Sequence, residues 1–294
     1  MIAEMQAYTH PPRMGAGTTG KYGLVRLGFE RDGTRTILRQ WERRTPLIVQ
    51  QALYFDPEWE ELPCVYILSS GGPNVDGDRY EQHFRVGCNA FAHISTGAAT
   101  KIACMRHNYS SMQQTIHLED GAYLEYLPEP LIPCRGSRYL SQTQITIAHS
   151  ATLLYAETYL CGRRWSGERF DYDIISVSMR ARREDGQSLF ADKFIVRPAE
   201  LNPSFLGVMG KYEIFSQVVL LTPESFAAQI YSSCEQRFDS DMVAAVTSLP
   251  NGCGLIYRVM GMQSQAVKRC VREFCSLVRL TVKGRPMADD FPWR

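Results

Sequence analysis

Apolar and polar residues alternate through most of the first two thirds of the chain, the period-two pattern of strands with one buried face. Val25, Leu27 and Phe29 interleave with Leu24, Arg26, Gly28 and Glu30. An Asp32-Gly33 step follows, which suits a tight hairpin turn, and Thr36-Ile37-Leu38 begins the return strand. A second hairpin is legible at Arg182-Arg183-Glu184-Asp185-Gly186. Three stretches share one plan of strand, short turn ending in alanine, and strand: residues 80–95, 113–127 and 143–157. Their alanines, Ala90, Ala122 and Ala151, recur at about 30 residues, a spacing typical of stacked repeats. One such unit cannot bury its own apolar faces. The pattern therefore predicts a mainly β protein of stacked sheets in a β-solenoid-like arrangement.

The last third changes period. A helix is expected from Pro223 to Arg237, with Thr222 as N-cap and Pro223 at the first helical position. A second is expected from Gln263 to Thr281, with Ala266, Cys270, Phe274, Leu277 and Thr281 on one stripe. Lys268, Arg269, Arg272 and Arg279 surround that stripe and read as a solvated basic face; a partner-binding helix is the competing reading. Cys270 and Cys275, five apart, are expected on different sides. The chain thus divides into a flexible lead-in over 1–20 and one domain over 21–294. Within that domain, 21–200 is β-rich and repeat-like, and 201–294 is mixed, with a few helices.

Composition narrows the class. The chain has 294 residues, 45% hydrophobic and 21% charged, as ordinary soluble domains do. A net charge of +1 gives no bulk attraction to nucleic acid or to an anionic membrane. Residues 1–12 lack the basic start and apolar run of a secretory leader. The nine cysteines are odd in number, form no CxxC pair and sit mostly in apolar runs. They read as small buried hydrophobes in a reducing, cytoplasmic setting.

Three motifs invite a chemical reading. Residues 15–21 (GAGTTGK) fit the GxGxxG spacing and the first seven positions of a phosphate-binding P-loop. Both signatures require a preceding apolar strand and a following helix. Here Gln6 to Pro12 precedes, a strand follows, and Tyr22 stands where Ser or Thr would hold magnesium. Cys104 and His107, and Cys88 with His83 and His93, are neighbours in sequence and could offer soft and imidazole ligands. Two such residues do not close a site, and separate packing roles are the simpler account. No GxSxG nucleophile motif occurs. Carboxylates are plentiful, so a β-solenoid enzyme using paired carboxylates on carbohydrate remains the alternative.

Several segments together resemble the urease accessory protein family called UreD or UreH. They are Tyr22 to Leu27, Pro46 to Gln50, Val65 to Leu68, Gly71 to Asp78, Gly97 to Lys101, Leu124 to Pro128 and Gly162 to Glu168. Their order and spacing carry the resemblance over about residues 21–175, and beyond Pro198 it loosens. The resemblance implies a non-enzymatic maturation factor with no resident cofactor. It implies docking of urease accessory protein F and the GTPase accessory protein G on apo-urease, with GTP bound by the GTPase. Nickel would be in transit, through a water-filled passage. Such a passage needs oxygen ligands that hold the ion weakly. Asp78 and Glu168, each after a glycine, are the first candidates, followed by Thr100 and Glu157. Turn capping by Asp78, and pairing of Glu168 with Arg163 or Arg164, are the structural alternatives. Lys101, Gln50, Glu125 and Arg163 also match family positions and are scaffold or interface candidates.

Overall fold

The computed structural model describes residues 2–9, 19–289, 291 and 293. Its frame is two large sheets facing each other, built coil by coil. Strands β1 (Tyr22–Asp32) and β2 (Arg35–Arg44) form the hairpin expected at Asp32-Gly33. They are followed by the antiparallel pair β3 (Leu47–Val49) and β4 (Cys64–Ser69). The first repeat gives β5 (Arg79–Val86) and β6 (Phe91–Thr96), then short β7 (Thr100–Ile102). The second gives β8 (Ser110–Leu118), β9 (Tyr123–Tyr126) and short β10 (Leu131–Pro133). The third gives β11 (Arg138–Ile147) and β12 (Thr152–Leu160).

Equivalent strands of successive repeats lie side by side and parallel: β5, β8 and β11 in one sheet, β6, β9 and β12 in the other. The short strands β7 and β10 pair in parallel along a third side. Each corner between the large sheets is the alanine turn. Ala90, Ala122 and Ala151 are all buried, and each amide closes the same four-residue turn. All three belong to the packed core, where a larger side chain would have to displace its neighbours. The repeat read from the sequence is therefore the coil of a β-solenoid.

The first sheet ends in the hairpin of β13 (Ile174–Arg182) and β14 (Ser188–Val196), as the second Asp-Gly step predicts. The second sheet continues from β12 through β15 (Ile214–Leu221). Helix α1 (Glu224–Ser233) follows, then β16 (Arg237–Phe238), β17 (Met242–Ser248) and β18 (Gly254–Gly261), and finally helix α2 (Ser264–Lys283). The second sheet is covered on both faces, by the solenoid interior on one side and by α1 and α2 on the other. That is why β12 is buried almost without alternation. Among the described residues, no helix is long and apolar enough to cross a membrane.

Several expectations need correction. Residues 3–8, expected within a flexible lead-in, form a 3₁₀ turn (Ala3–Tyr8) whose Met5 is buried beside Leu140 and Ile174. Residues 10–18, with most of the glycine-rich motif, lie outside the described residues. Thr222 does not cap α1: Pro223 holds the N-cap position, and the Thr222 hydroxyl pairs with that of Thr152 at 2.9 Å. The buried face of α2 is broader than the expected stripe. Val267, Val271, Cys275 and Val278 join Cys270 and Phe274, while Ala266, Leu277 and Thr281 are half-buried. A helix between a sheet and its own C-terminal tail must bury two adjacent rows. Cys270 and Cys275 are both buried for that reason. Arg279, assigned to a solvated face, is fully buried.

Candidate functional site

The inward rows of the first sheet show where the solenoid stops being hydrocarbon. Phe84, Ile116 and Ile145 stack across β5, β8 and β11, as do Val86, Leu118 and Ile147. Two residues earlier on each strand the same inward row reads Gln82, Gln114 and Thr143. A buried amide ladder costs free energy unless its groups are paired, and here they are. Gln114 donates to Gln82 Oε1 at 2.9 Å, and Thr143 donates to Gln114 Oε1 at 3.0 Å. From the facing sheet, the Tyr155 hydroxyl donates to Gln114 Oε1 at 2.5 Å and the Tyr126 hydroxyl to Gln82 Oε1 at 3.2 Å. The Tyr155 hydroxyl also stands 3.3 Å from Glu157 Oε1, and the Gln217 amide donates to Glu157 Oε2 at 3.1 Å. A continuous polar belt thus crosses the interior from Gln82 to Gln217.

Three cavities follow this belt. A narrow one of about 70 Å³ is lined by Gln82, Gln114, Thr100, Ser141, Tyr155 and Glu157, among others. On one side it shares Gln82, Thr96, Thr100 and Met112 with an open cleft of about 540 Å³ that also carries Asn74 and Lys101. On the other it shares Tyr159 with an apolar chamber of about 310 Å³, whose wall includes Gln217. Among the described residues, no thiol or imidazole lines the narrow cavity. Burial pushes the Glu157 carboxyl above its ordinary value of 4.5, although Gln217, Tyr159 and Tyr155 hydrogen-bond to it. The cavity is therefore lined mainly by amide, hydroxyl and phenol oxygens, with Glu157 and the Lys268-paired Glu129 as its two carboxyls.

The eight candidates separate on this geometry. Thr100 and Glu157, ranked second in the sequence, are brought together in the narrow cavity. Asp78 and Glu168, ranked first, line none of these three cavities. Asp78 is fully buried and accepts from the Lys21 amide at 2.8 Å, the Val75 amide at 2.9 Å and the Tyr80 hydroxyl at 2.9 Å. It holds the loop before β5 in place. Glu168 is clamped by the Arg163 guanidinium and by the Arg135 amide at 3.2 Å. The Arg163 hydrogen bond outweighs burial and holds the Glu168 carboxyl below its ordinary range. The preceding glycines serve their own turns, with positive φ at Gly77 and Gly167, and a Cβ on Gly167 would meet open space. Asp78→Ala should destabilise the fold by about 3 kcal/mol, since three donors lose one charged acceptor. Urea denaturation checks it, and a change in function with unaltered stability would contradict the structural role.

Lys101 is exposed and lines the open cleft, while Gln50 is exposed just after β3. Glu125 belongs to a different place. It is fully buried under α2, where Arg279 donates to both its oxygens at 2.7 Å and His93 Nδ1 lies 2.9 Å from Oε2. Arg279 also bonds the buried carboxylate of Asp56, and its guanidinium lies 5.0 Å from the Phe291 ring centre. Burial alone would raise the Glu125 carboxyl, but Arg279 and His93 hold it far below the usual range. Burial lowers His93, against the opposing pull of the Glu125 carboxylate beside its Nδ1. This cluster ties the helix to the solenoid.

The cysteine and histidine pairs do not assemble. Cys88 is exposed beside Glu119, His93 lies beneath α2, and His83 faces Glu81 at 3.6 Å. Among the described residues, no three metal-ligating side chains converge.

Comparison with known proteins gives one consistent answer. The family model described as "UreD urease accessory protein" matches residues 21–294, well past Pro198, where the sequence resemblance loosened. "Urease accessory protein UreD 2" of Brucella ovis is 42% identical over 287 residues, covering 96% of this chain and 95% of that protein. "Urease accessory protein UreD" of Photorhabdus laumondii is 40% identical over 288 residues, covering 97% and 90%. "Urease accessory protein UreD 3" of Methylorubrum populi is 42% identical over 292 residues, covering 97% and 94%.

Proposed function

Since the chain belongs to the UreD family of urease accessory proteins, we propose that it is a non-enzymatic scaffold of urease maturation that conducts nickel through its own interior. It would dock urease accessory protein F and the GTPase accessory protein G on apo-urease. GTP would be bound and hydrolysed by the GTPase. The observation that carries the reading is the polar belt inside the solenoid, flanked by cavities on both sides. A borderline divalent cation needs oxygen ligands weak enough to let it go. Glutamine, threonine and tyrosine oxygens supply that, beside a Glu157 carboxyl held above its ordinary range and a Glu129 carboxylate already paired with Lys268, whereas thiols and imidazoles would trap the ion.

The same cavity weighs against the carbohydrate alternative. Glu129 and Glu157 both line it, but Glu129 is paired with Lys268 at 2.5 Å. Its volume of about 70 Å³ suits a few waters or a hydrated ion, with no room for a sugar ring.

The decisive experiment is urease activity in cells carrying the complete urease operon, with and without this gene, at fixed nickel. Loss of activity at normal urease subunit levels, partly rescued by excess nickel, is the expected result. Unchanged activity would sink the proposal.

Glu157→Gln makes a second, independent test. A carboxyl raised above 4.5 contributes stability that is complete below that pH and is lost as pH rises. The glutamine variant lacks this loss, so its stability relative to wild type should rise as pH increases above 4.5. Urease activation at limiting nickel should fall severalfold. A stability difference that is flat with pH would refute the upward shift of the Glu157 carboxyl.

A further inference from the structure

The narrow cavity has a further neighbour, beneath the start of α2. Pro128, Glu129 and Thr158 line both it and a fourth cavity of about 220 Å³, whose other walls include Lys268, Val271 and Trp293. That fourth cavity reaches the surface at Ser264 and Gln265, the exposed residues that open α2. Between the two spaces stands an ion pair: Lys268 Nζ donates to Glu129 Oε1 at 2.5 Å. The backbone around this pair is fixed, so that only side chains are left to move. Glu129 lies between Pro128 and Pro130, whose rings stiffen the chain, and its amide donates to Thr96 Oγ1 at 2.9 Å. On the other side the Lys268 ammonium lies 5.2 Å from the Trp293 ring centre. Arg272 holds the tail that carries this ring, donating to the Trp293 carbonyl at 2.8 Å.

As a clamp the pair adds little. Its side chains are 20% and 25% exposed, and ion pairs in contact with water contribute little to stability. The buried Arg279 cluster already fastens α2 to the solenoid. As a latch the pair is well placed. The first turn of α2, Ser264 to Val267, brings the positive end of the helix to the fourth cavity, and Lys268 adds a full charge. Together they repel a cation from this side and keep the Glu129 carboxylate occupied. With the ammonium swung aside on its flexible stem, that carboxylate becomes an anionic oxygen ligand beside the threonines of the narrow cavity, Thr96, Thr100 and Thr158.

We propose that the fourth cavity is a second mouth of the ion passage, latched by Lys268, and that Glu129 is a latent nickel ligand freed when the latch opens. That assignment rests on the proposed function, which supplies the ion, and adds to it a branch, a latch and a ligand.

Calorimetric titration of the purified full chain with Ni²⁺ tests it. Lys268→Met keeps the apolar stem and removes the charge, so Ni²⁺ should bind at least about tenfold more tightly than to wild type. Adding Glu129→Gln to Lys268→Met should abolish that gain. In operon-bearing cells, Lys268→Met should lower urease activation severalfold at limiting nickel, because the ion is held or lost at the open mouth, and excess nickel should restore it. Equal Ni²⁺ binding by Lys268→Met and wild type would overturn the latent ligand, and a gain that survives Glu129→Gln would place the ligand elsewhere. A lower urea midpoint for Lys268→Met would make the pair a clamp and overturn the latch. Unchanged activation by Lys268→Met at limiting nickel would take the branch out of the ion's path. Each of these failures leaves the scaffold reading intact if gene deletion still abolishes urease activity.

Discussion

Arg279→Ala is expected to remove about 3–5 kcal/mol of stability, enough to leave little folded protein at physiological temperature. The reason is asymmetric. Arg279 is fully buried and holds two fully buried carboxylates, Asp56 and Glu125, with His93 as a further donor to Glu125. Removing the cation leaves both anions away from water, which costs far more than the pairs themselves contribute. Arg279→Lys should recover only part of the loss, because one ammonium cannot reproduce the planar fork that meets both oxygens of Glu125. Urea denaturation of the purified chain measures it. A loss below about 1 kcal/mol for Arg279→Ala would mean that water reaches the cluster.

The largest expected functional effect comes from closing the neck of the passage. Thr100 is half-buried and lines both the open cleft and the narrow cavity. Thr100→Phe places a ring where the two meet, in a space of about 70 Å³. Urease activation in operon-bearing cells should fall at least about tenfold, with the chain still folded and still co-purifying with its partners, because β7 lies on the short third side of the coil. Thr100→Ser, which keeps the hydroxyl and the opening, should activate urease as wild type does. Equal activation by Thr100→Phe and wild type would remove the neck from the path of the ion.

What the sequence announced and what it hid have separate physical causes. The alanine corners were legible because one local solution, a tight turn with no room for a side chain, was used three times at nearly constant spacing. The hairpins were legible because an Asp-Gly step between alternating strands has few other structures open to it. The polar belt left a signal that went unread. Gln82, Gln114 and Thr143 occupy positions that alternation assigns to the interior, about 30 residues apart, so each stands as a polar residue on an otherwise apolar row. Glu157 lies on the inward row of Leu153 and Tyr155 in the same way.

Asp78 and Glu168 were favoured for their preceding glycines, which turned out to serve the turns themselves. Arg279 gave no local sign at all. Its partners lie 154 and 223 residues away, so on its own helix it is one cation among several.

The order of strands in the first sheet has a consequence for how the chain is made. From β2 through β1, β5, β8, β11 and β13 to β14, each strand after the opening hairpin lies against the one most recently added to that sheet. A chain leaving the ribosome from its N-terminus can therefore lay down one coil on the last, as courses of brick are laid, without waiting for distant sequence. At every stage before β14 the newest parallel strand is an open edge, able to template any β segment nearby. The antiparallel β14 ends the run of parallel edges and is itself the last strand of the sheet. Synthesis paused between Val86 and Ser188 would expose that growing edge, and nascent chains stalled there should depend on a holding chaperone more than chains stalled after Val196.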